Sequence, residues 1–394
     1  MTDPLPVASY PVTAYAAGNC LGLATREVLA GLAESRTGLK PCRWDLPFET
    51  FCGEVPASLE RLPERWAAYD SRLARIALAA LEPMSEALAK AVRRWGPERV
   101  AVVLGTSTGG ILETEQAWAA HHANGQVPAT YDFERQHSFH GLVELVKLRT
   151  GAKGPGYVVS TACSSSGKVL ATGRRLIEAG LADAALVGGA DSLCQTTLRG
   201  FHSLEVLSKR LCRPFCAERD GLNIGEGAAY LLLEREGEGP ARLLGVGESC
   251  DAHHMSHPHP EGLGAEAAMA LALAQAGVSA REVDHVNAHG TATQLNDAAE
   301  AKAIARLLGT EVPVVSTKGY TGHMLGAAGA TEAVFAVAAI EHGWIPASLG
   351  AEPVDPQLTV QVNRSRRELR CRTVLSNSFA FGGNNVSVLF GASR

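Results

Sequence analysis

The amino-acid sequence predicts an α/β fold of mostly parallel, buried sheets, arranged as two similar halves. Short apolar runs alternate with amphipathic stretches, 41 of the 394 residues are glycine, and the order of the elements repeats in the second half. Strands that alternate with helices favour parallel sheets covered on both faces. The predicted elements are strands at 99–104, 157–160, 184–187, 283–288 and 312–316, and helices at 164–179, 297–308 and 326–341.

Two pairs of matching segments indicate an internal duplication. GTST at 105–108 is echoed by GTAT at 290–293, and VVST at 158–161 recurs at 314–317. In each half the GT-x-T segment follows a strand, and VVST leads into a glycine-rich helix start. Because order and context match, a two-fold repeat is the better interpretation. We place the boundary near Glu248, which divides the chain into 1–247, carrying the candidate nucleophile, and 248–394. We expect one compact unit.

The composition excludes several classes of function. The formal net charge is -5, so the chain has no global basic field for nucleic acid. Nine cysteines, an odd number in a long chain, favour reduced thiols in the cytoplasm over a disulfide framework. The first twenty residues lack the basic start of a signal peptide. No apolar run approaches the roughly 18 residues of a membrane span, so we expect no membrane association.

Cys163 is the candidate nucleophile. It lies in YVVSTACSSSGKVL, where a strand is predicted to end and a helix to begin. Unpaired amides and the positive end of the helix dipole would lower the pKa of a thiol there. The small neighbours Ala162 and Ser164 permit a sharp turn. A typical cysteine is an ordinary small core residue, and we interpret the other eight in that way.

Two histidines and a lysine follow predicted strands in the second half. His289 lies in VNAHGTAT, and Lys318 and His323 lie in STKGYTGHMLGAAG. Loops after strand ends are where parallel α/β folds build their sites. Zinc is the competing use of these residue types, but no ligand pair has finger-like or metalloprotease spacing. Four histidines in DAHHMSHPHPEG at 251–262 are interpreted as a loop with adventitious metal affinity at most.

Taken together, these segments resemble a known family. TACSSS, NAHGTAT, STKGYTGHMLGAAG and NSFAFGGNN, in this order, are similar to four signatures of the elongating β-ketoacyl-ACP synthases. RPFCAERDGLNIGEGAAYLLLE at 213–234 resembles a fifth shared segment. The similarity extends from about residue 99 to the C-terminus and is weaker before that.

The resemblance implies a thiolase-type fold, an αβαβα layered sandwich of two similar halves. It also implies a decarboxylative Claisen condensation, in which Cys163 carries the acyl group and His289 and His323 stabilise the enolate formed from malonyl-ACP. Backbone N–H groups of Cys163 and Phe381 would form the oxyanion hole. Lys318, paired with Glu332, would organise charge around His323.

The resemblance assigns further roles around this centre. Thr291 and Thr293 would hold the phosphopantetheine arm, and Glu300 and Glu332 would be structural supports. The remaining assignments are substrate-binding residues Thr108, Phe201 and Ser256, a gate loop containing Phe379, Ala380, Phe381, Gly382 and Gly383, and a candidate sodium or potassium site at Asn287, Glu332, Ser376 and Asn377. No prosthetic group is expected, because the substrates arrive on the phosphopantetheine of an acyl carrier protein.

The resemblance also implies partners. We expect an acyl carrier protein, docked on a basic rim, and a homodimer, with a heterodimer of related subunits as the alternative. The rim candidates are Lys209, Arg210, Arg213, Arg61 and Arg65. Ala380 replaces a family glycine, and Glu205 lies where relatives carry a docking arginine. These departures favour a specialised polyene or polyketide pathway over housekeeping fatty-acid synthesis.

Two rival functions remain on the same fold. A biosynthetic thiolase would need a second catalytic cysteine near its C-terminus, and Cys371 lies outside the glycine-rich motif there. A non-catalytic chain-length-factor subunit typically loses the nucleophile, whereas this chain retains Cys163, His289, Lys318 and His323. The heterodimer in which this chain is the active member stays open.

Overall fold

The computed structural model describes residues 8–56 and 58–393. The strands are β1 (Tyr10–Asn19), β2 (Lys40–Pro41), β3 (Phe51–Gly53), β4 (Val100–Gly105), β5 (Gly156–Val159), β6 (Ala184–Asp191), β7 (Ile224–Gly225), β8 (Gly227–Glu234), β9 (Ala241–Cys250), β10 (His285–Asn287), β11 (Pro313–Val315), β12 (Trp344–Ile345), β13 (Gln361–Val362), β14 (Arg367–Glu368), β15 (Thr373–Phe379) and β16 (Asn384–Ala392). The α-helices are α1 (Thr25–Ala33), α2 (Arg72–Leu81), α3 (Ser85–Trp95), α4 (Ile111–Asn124), α5 (Phe139–Thr150), α6 (Ser165–Glu178), α7 (Gln195–Ser203), α8 (Leu263–Ala276), α9 (Gln294–Leu308), α10 (Lys318–Thr321) and α11 (Ala328–His342). All eight elements predicted from the sequence are present, with ends shifted by at most four residues.

The two halves share one sheet topology. The strand order is β5-β4-β6-β8-β1 in the first half and β11-β10-β15-β16-β9 in the second. In both, the first two pairings between neighbouring strands are parallel and the last two are antiparallel. GTST and GTAT follow the equivalent strands β4 and β10, and VVST overlaps the equivalent strands β5 and β11. The predicted duplication is therefore confirmed.

Helices cover both sheets and fill the space between them. The helices α6 and α11 pack on each other and contact strands of both halves. The buried face of α11 is rich in alanine and valine, and that of α6 includes two serines and two glycines, so small residues on both helices allow close approach. The helices α2 and α5 cover the outer face of the first sheet, and α8 covers that of the second. The result is the expected αβαβα sandwich.

The two sheets are continuous through a short edge pairing. Tyr10 to Val12 of β1 pair antiparallel with Leu243 to Ala241 of β9. The predicted boundary near Glu248 lies inside β9, the strand through which the two sheets join. Division of the chain at that residue stays a prediction. Among the described residues, no helix combines the length and apolar character needed to cross a lipid bilayer.

Candidate active site

The candidate nucleophile lies on a sharp turn between β5 and α6. Ala162, the residue before it, has φ 51°, a left-handed conformation that is unfavourable for alanine. The turn is held by the Ser165 hydroxyl, which donates to Ala162 O at 2.5 Å and accepts from Thr161 N at 2.9 Å. Backbone strain of this kind persists only where the surrounding structure enforces it. Here it directs the thiol of Cys163 into a cleft.

His289 and His323 both lie beside the thiol of Cys163. His323 Nε2 is 2.9 Å from Cys163 Sγ. The rings of His289 and His323 lie edge to face, with centroids 5.3 Å apart. Single ligand-type atoms of the three side chains lie within 4.8 Å of one another, a spacing that also suits a zinc ion. The first and second halves thus contribute to one centre.

Lys318 is buried and directed at His289. Its ammonium donates to Glu332 Oε1 at 2.5 Å and to the carbonyl oxygen of His289. It also lies 3.5 Å from His289 Nδ1. An ammonium only donates, so this Nδ1 acts as an acceptor and the ring proton resides on Nε2. Lys318 therefore fixes the tautomer of His289.

The buried site favours neutral groups. Burial, followed by the positive charge of Lys318, lowers the pKa of His289 and of His323 well below the usual value. Burial also raises the pKa of the Cys163 thiol to about 11, against the opposing effects of Lys318 and of the N–H groups of Phe381 and Cys163. The sequence led us to expect a lowered thiol pKa. That expectation was wrong for the resting site, because desolvation of the thiolate outweighs the favourable charges.

Glu300 supports the loop that carries His289. Its carboxylate accepts the backbone N–H groups of His289 and Gly290, both at 2.8 Å, and the side-chain amide of Asn377 at 3.2 Å. Burial raises its pKa to about 7 despite these hydrogen bonds. The contacts agree with the structural role assigned to Glu300.

Replacing Glu300 with glutamine should flatten the pH dependence of stability. A raised folded-state pKa stabilises the fold below about pH 4.5, and that contribution is lost as pH rises to about 7. We expect the variant to lack a decline on the order of 2–3 kcal/mol in unfolding free energy across this interval. Denaturant unfolding at several pH values tests this, with the exposed Glu311→Gln as control. Parallel curves for wild type and Glu300→Gln would contradict the role of this carboxyl.

The four residues expected at a cation site are all buried. Asn287 Nδ2 donates to Ser376 Oγ at 3.5 Å. Among the described residues Glu332 Oε2 has no hydrogen-bond partner, which leaves a buried acceptor that a cation would satisfy. Asn377 Oδ1 is already occupied, because it accepts from the Ser387 hydroxyl at 2.8 Å. The free carboxylate oxygen of Glu332 suits a monovalent cation, and a site shared with Asn287, Ser376 and Asn377 stays a prediction.

A cleft of about 510 Å³ leads to Cys163. Its lining includes most of the residues assigned to substrate and gate: Phe201, Ser256, Thr291, Thr293, Phe379, Ala380 and Phe381. The hydroxyls of Thr291 and Thr293 lie 2.9 Å apart on one wall. Thr108 is not part of this lining. Its hydroxyl hydrogen-bonds to Asp191 at 2.9 Å, so its role in substrate binding stays a prediction.

The gate loop adopts one defined arrangement. The ring of Phe381 stacks on Phe201, with centroids 5.7 Å apart. Gly382 and Gly383 both have positive φ, and the amide of Gly382 donates to Met255 O at 2.7 Å. Ala380 has φ -112° and ψ 156°, an extended conformation that alanine tolerates. The alanine is therefore unstrained in this arrangement of the gate.

Replacing Ala380 with glycine should speed acylation of Cys163. The extra methyl group restricts the loop only when it leaves the extended conformation, and a glycine-to-alanine difference is about 0.4–1 kcal/mol. We expect roughly two- to fivefold faster acylation and broader chain acceptance, with decarboxylation almost unchanged. Pre-steady-state acylation with short and long acyl thioesters measures this. Equal rates and chain profiles in both proteins would show that Ala380 has no influence on the gate.

Asp191 is a further residue of the site that was not predicted from the sequence. This carboxylate is fully buried, at the end of β6, and accepts from the Thr106 hydroxyl at 2.7 Å and from the amides of Ser107 and Thr108 at 3.0 Å. The Ser107 hydroxyl in turn donates to Ala162 O at 3.1 Å, beside the nucleophile. Asp191 therefore positions the GTST loop against the Cys163 turn. An acid in the apolar run AALVGGAD was the available signal.

Comparison with known proteins agrees with this geometry. The family models described as "Beta-ketoacyl synthase, N-terminal domain" and "Beta-ketoacyl synthase, C-terminal domain" match residues 23–238 and 240–352. The 3-oxoacyl-[acyl-carrier-protein] synthase 2 of a Synechocystis species is 32% identical, over 96% of this chain and 97% of that protein. A chloroplastic synthase II of Arabidopsis thaliana is 39% identical over 62% of this chain, which spans only 49% of that relative. A mitochondrial synthase of the same plant is spanned over 58% of its length.

A solved structure covers the whole fold. The ketosynthase ApeO of Xenorhabdus doucetiae, determined in complex with its chain length factor ApeC, is 38% identical and superimposes with a TM-score of 0.92 over 98% of both chains. The matches cover the nucleophile turn, both histidine loops and the two similar sheets. The chain belongs to the β-ketoacyl synthase family.

Proposed function

We propose that this protein is a β-ketoacyl-ACP synthase, an acyltransferase that forms carbon–carbon bonds by decarboxylative Claisen condensation. The observation that carries the proposal is the 2.9 Å contact between Cys163 Sγ and His323 Nε2, beside His289, at the base of one cleft. The substrates would be thioesters carried by an acyl carrier protein. A cytoplasmic location is part of the same proposal.

In the first half-reaction the acyl group moves to Cys163. The thiol has a raised pKa, so it must lose its proton as sulfur attacks the thioester carbonyl. His323 Nε2 is close enough to take that proton and to return it to the departing pantetheine thiol. The amides of Phe381 and Cys163 would stabilise the oxyanion, and both lie near the thiol. The products are acyl-Cys163 and the free carrier thiol.

In the second half-reaction malonyl-ACP supplies the new carbon–carbon bond. Neutral His289 would donate its Nε2–H to the malonyl thioester oxygen. His323 accepts the thiol proton in the tautomer with its proton on Nδ1, and it would donate a second N–H after that proton has moved to Nε2. Loss of CO2 would then leave a stabilised enolate. The enolate carbon attacks the acyl-Cys163 carbonyl, the sulfur of Cys163 departs, and one proton restores the thiol. Because Lys318 holds the proton of His289 on Nε2, it favours the donor required here.

The remaining residues would bind the substrates and balance charge. Thr291 and Thr293 would hydrogen-bond the phosphopantetheine arm from the cleft wall. Phe201 and Ser256 would contact the acyl chain or the arm at the mouth of the cleft. A sodium or potassium ion at Glu332 would supply positive charge beside a carboxylate whose pKa burial raises to about 7.

A second candidate function is the active subunit of a ketosynthase/chain-length-factor heterodimer in a polyene or polyketide pathway. The 38% identity to ApeO, solved with its chain length factor, favours it. An exposed apolar surface also supports a dimer, since β5 is a sheet edge and Tyr157, Leu148, Phe133 and Trp118 are each about half exposed or more on adjoining elements. A homodimer through this surface is the alternative.

Carrier docking should depend on positive charge beside the cleft. Lys209 and Arg210 are exposed, and Arg210 lies 3.2 Å from Asp220, a residue of the cleft rim. Reversing both to glutamate should raise KM for acyl-ACP roughly tenfold and weaken the salt dependence of KM. The change in kcat should be smaller. Steady-state kinetics at several salt concentrations tests this, with Lys302→Glu as a control. An unchanged KM would place the docking surface elsewhere.

The direct test of the function is reconstitution. The purified chain is mixed with an acyl-ACP panel and malonyl-ACP, alone and together with a chain-length-factor-like partner. We expect β-ketoacyl-ACP and CO2 in equal amounts. Product from the chain alone supports the homodimer, and product only with the partner supports the heterodimer. CO2 release without any condensation product in either mixture would contradict the proposed function.

A further inference from the structure

Two cysteines outside the catalytic centre line one cavity. A cavity of about 680 Å³, larger than the cleft at Cys163, is lined by Cys42 and Cys52. In the β2–β3 ladder Lys40 pairs with Cys52, and the amide of Cys42 donates to Thr50 O at 2.9 Å. Cys42 and Cys52 are therefore diagonal neighbours on the same face of an antiparallel pair. Both thiols are free.

The two thiols differ in access. Cys42 is half-buried, whereas Cys52 is buried with 5% of its surface exposed. Burial raises the pKa of Cys52, and the neighbouring Cys42 thiol acts in the same direction. The more exposed Cys42 is thus the thiol that a solute in the cavity meets first. Cys52 is positioned behind it.

A continuous ladder joins this pair to the catalytic histidine. Cys52 pairs with Ile224 in the parallel β3–β7 ladder, and Ile224 forms a parallel bridge with His323. The amide of His323 donates to Asn223 O at 2.7 Å, and the amide of Gly225 donates to His323 O at 3.0 Å. Cys52 and His323 therefore lie in one row of paired backbone residues that crosses the strands, with Ile224 of β7 between them. This row is the route by which a displacement of β3 would reach the backbone of His323.

We propose that Cys42 and Cys52 form a redox-active dithiol that closes to a disulfide under peroxide and thereby lowers the catalytic competence of His323. The Cys42 thiol attacks hydrogen peroxide, which leaves a sulfenic acid and one water molecule. The Cys52 sulfur then attacks the sulfenic sulfur, and a second water molecule departs. Two thiols lose two electrons and two protons in total, and one peroxide is reduced to two waters. An external dithiol reverses the reaction by exchange.

Closure must move the strands. Diagonal neighbours in an antiparallel pair lie about 7–8 Å apart, whereas a relaxed disulfide joins Cα atoms roughly 4.4–6.8 Å apart. Bond formation therefore draws β2 toward β3 and shifts the row that ends at His323. A misplacement of a catalytic group by about 1 Å can reduce the rate by about 10²-fold.

Peptide mapping tests the bond itself and does not depend on the proposed function. Reduced full-length protein is treated with hydrogen peroxide, alkylated and digested with trypsin. Cleavage after Arg43 separates the two cysteines into peptides 37–43 and 44–61. We expect these peptides to be linked in wild type, unlinked in Cys42→Ser, and linked in the control Cys371→Ser. Failure to detect the linked pair in wild type and in Cys371→Ser would overturn the proposal.

A second measurement tests the effect on His323, and it rests on the proposed function. Cys163→Ala removes the nucleophile, whose own oxidation would stop turnover, and leaves decarboxylation as the readout. We expect peroxide to lower malonyl-ACP decarboxylation roughly tenfold, reversibly with dithiothreitol, and Cys42→Ser to abolish this sensitivity. A fully linked protein with unchanged decarboxylation would overturn the coupling to His323. Absence of decarboxylation even in the reduced protein would contradict the proposed function and not the coupling.

Discussion

Replacing Cys163 with alanine is expected to reduce condensation by roughly 10⁴-fold or more, because no other group at the base of the cleft can carry the acyl chain. The neighbouring Ser164 and Ser165 are buried, and their hydroxyls hydrogen-bond to backbone oxygens of the turn. Malonyl-ACP decarboxylation should persist, since it requires the two histidines and not the thiol. Product formation and CO2 release, measured in parallel, separate the two activities.

A matched variant controls for the general effect of removing a buried thiol. Cys371 is also buried, and burial raises its pKa to about 12. It lies away from the cleft, so Cys371→Ala should retain condensation close to the wild-type rate. Acyl transfer that survives in Cys163→Ala would remove Cys163 from its role as nucleophile.

Replacing either His289 or His323 with alanine is expected to slow decarboxylation by roughly 10²–10³-fold, the usual loss for an oxyanion-type donor. Burial lowers the pKa of both rings, which favours the neutral form, and a neutral ring has one N–H to offer to the developing enolate. Acylation of Cys163 should suffer more in His323→Ala than in His289→Ala, because only His323 hydrogen-bonds to the thiol.

His285, on the strand β10 that leads to His289, provides a control. It is buried, burial lowers its pKa to about 4, and its Nδ1 lies 3.0 Å from Pro313 O. It takes no part in the cleft lining, so His285→Asn should affect stability more than decarboxylation. If both catalytic-site variants decarboxylate malonyl-ACP at the wild-type rate, the two-histidine interpretation is wrong.

Much of the fold could be predicted because its signals are local. The buried strands β4 and β11 are short apolar runs, and α6 follows directly after a small-residue turn. The matching segments GTST and GTAT, and the two VVST segments, indicated the duplication because each pair lies at equivalent strands of the two halves. The convergence of four residues was predicted from the resemblance to a known family: Cys163, His289, Lys318 and His323. Their separation in sequence is large, so no local pattern brings them together.

Other features depend on tertiary packing and had no local signal. Ala162 adopts a left-handed backbone only because the Ser165 hydroxyl and the surrounding turn enforce it. The thiol pKa was expected to be lowered by the helix start, yet burial of the site reverses the sign. Thr108 was assigned to substrate binding by the family resemblance, and its hydrogen bond to Asp191, which is distant in sequence, depends on the fold.

The central claim is that Cys163 carries the acyl intermediate, and the mass of one peptide tests it most directly. Trypsin releases residues 154–168, which contain Cys163 and no other cysteine. After incubation with an acyl-ACP, this peptide should gain the mass of the acyl group, and it should lose that mass when malonyl-ACP is added and β-ketoacyl-ACP forms. An unmodified 154–168 peptide during active turnover, or an acyl group on another cysteine, would contradict the account.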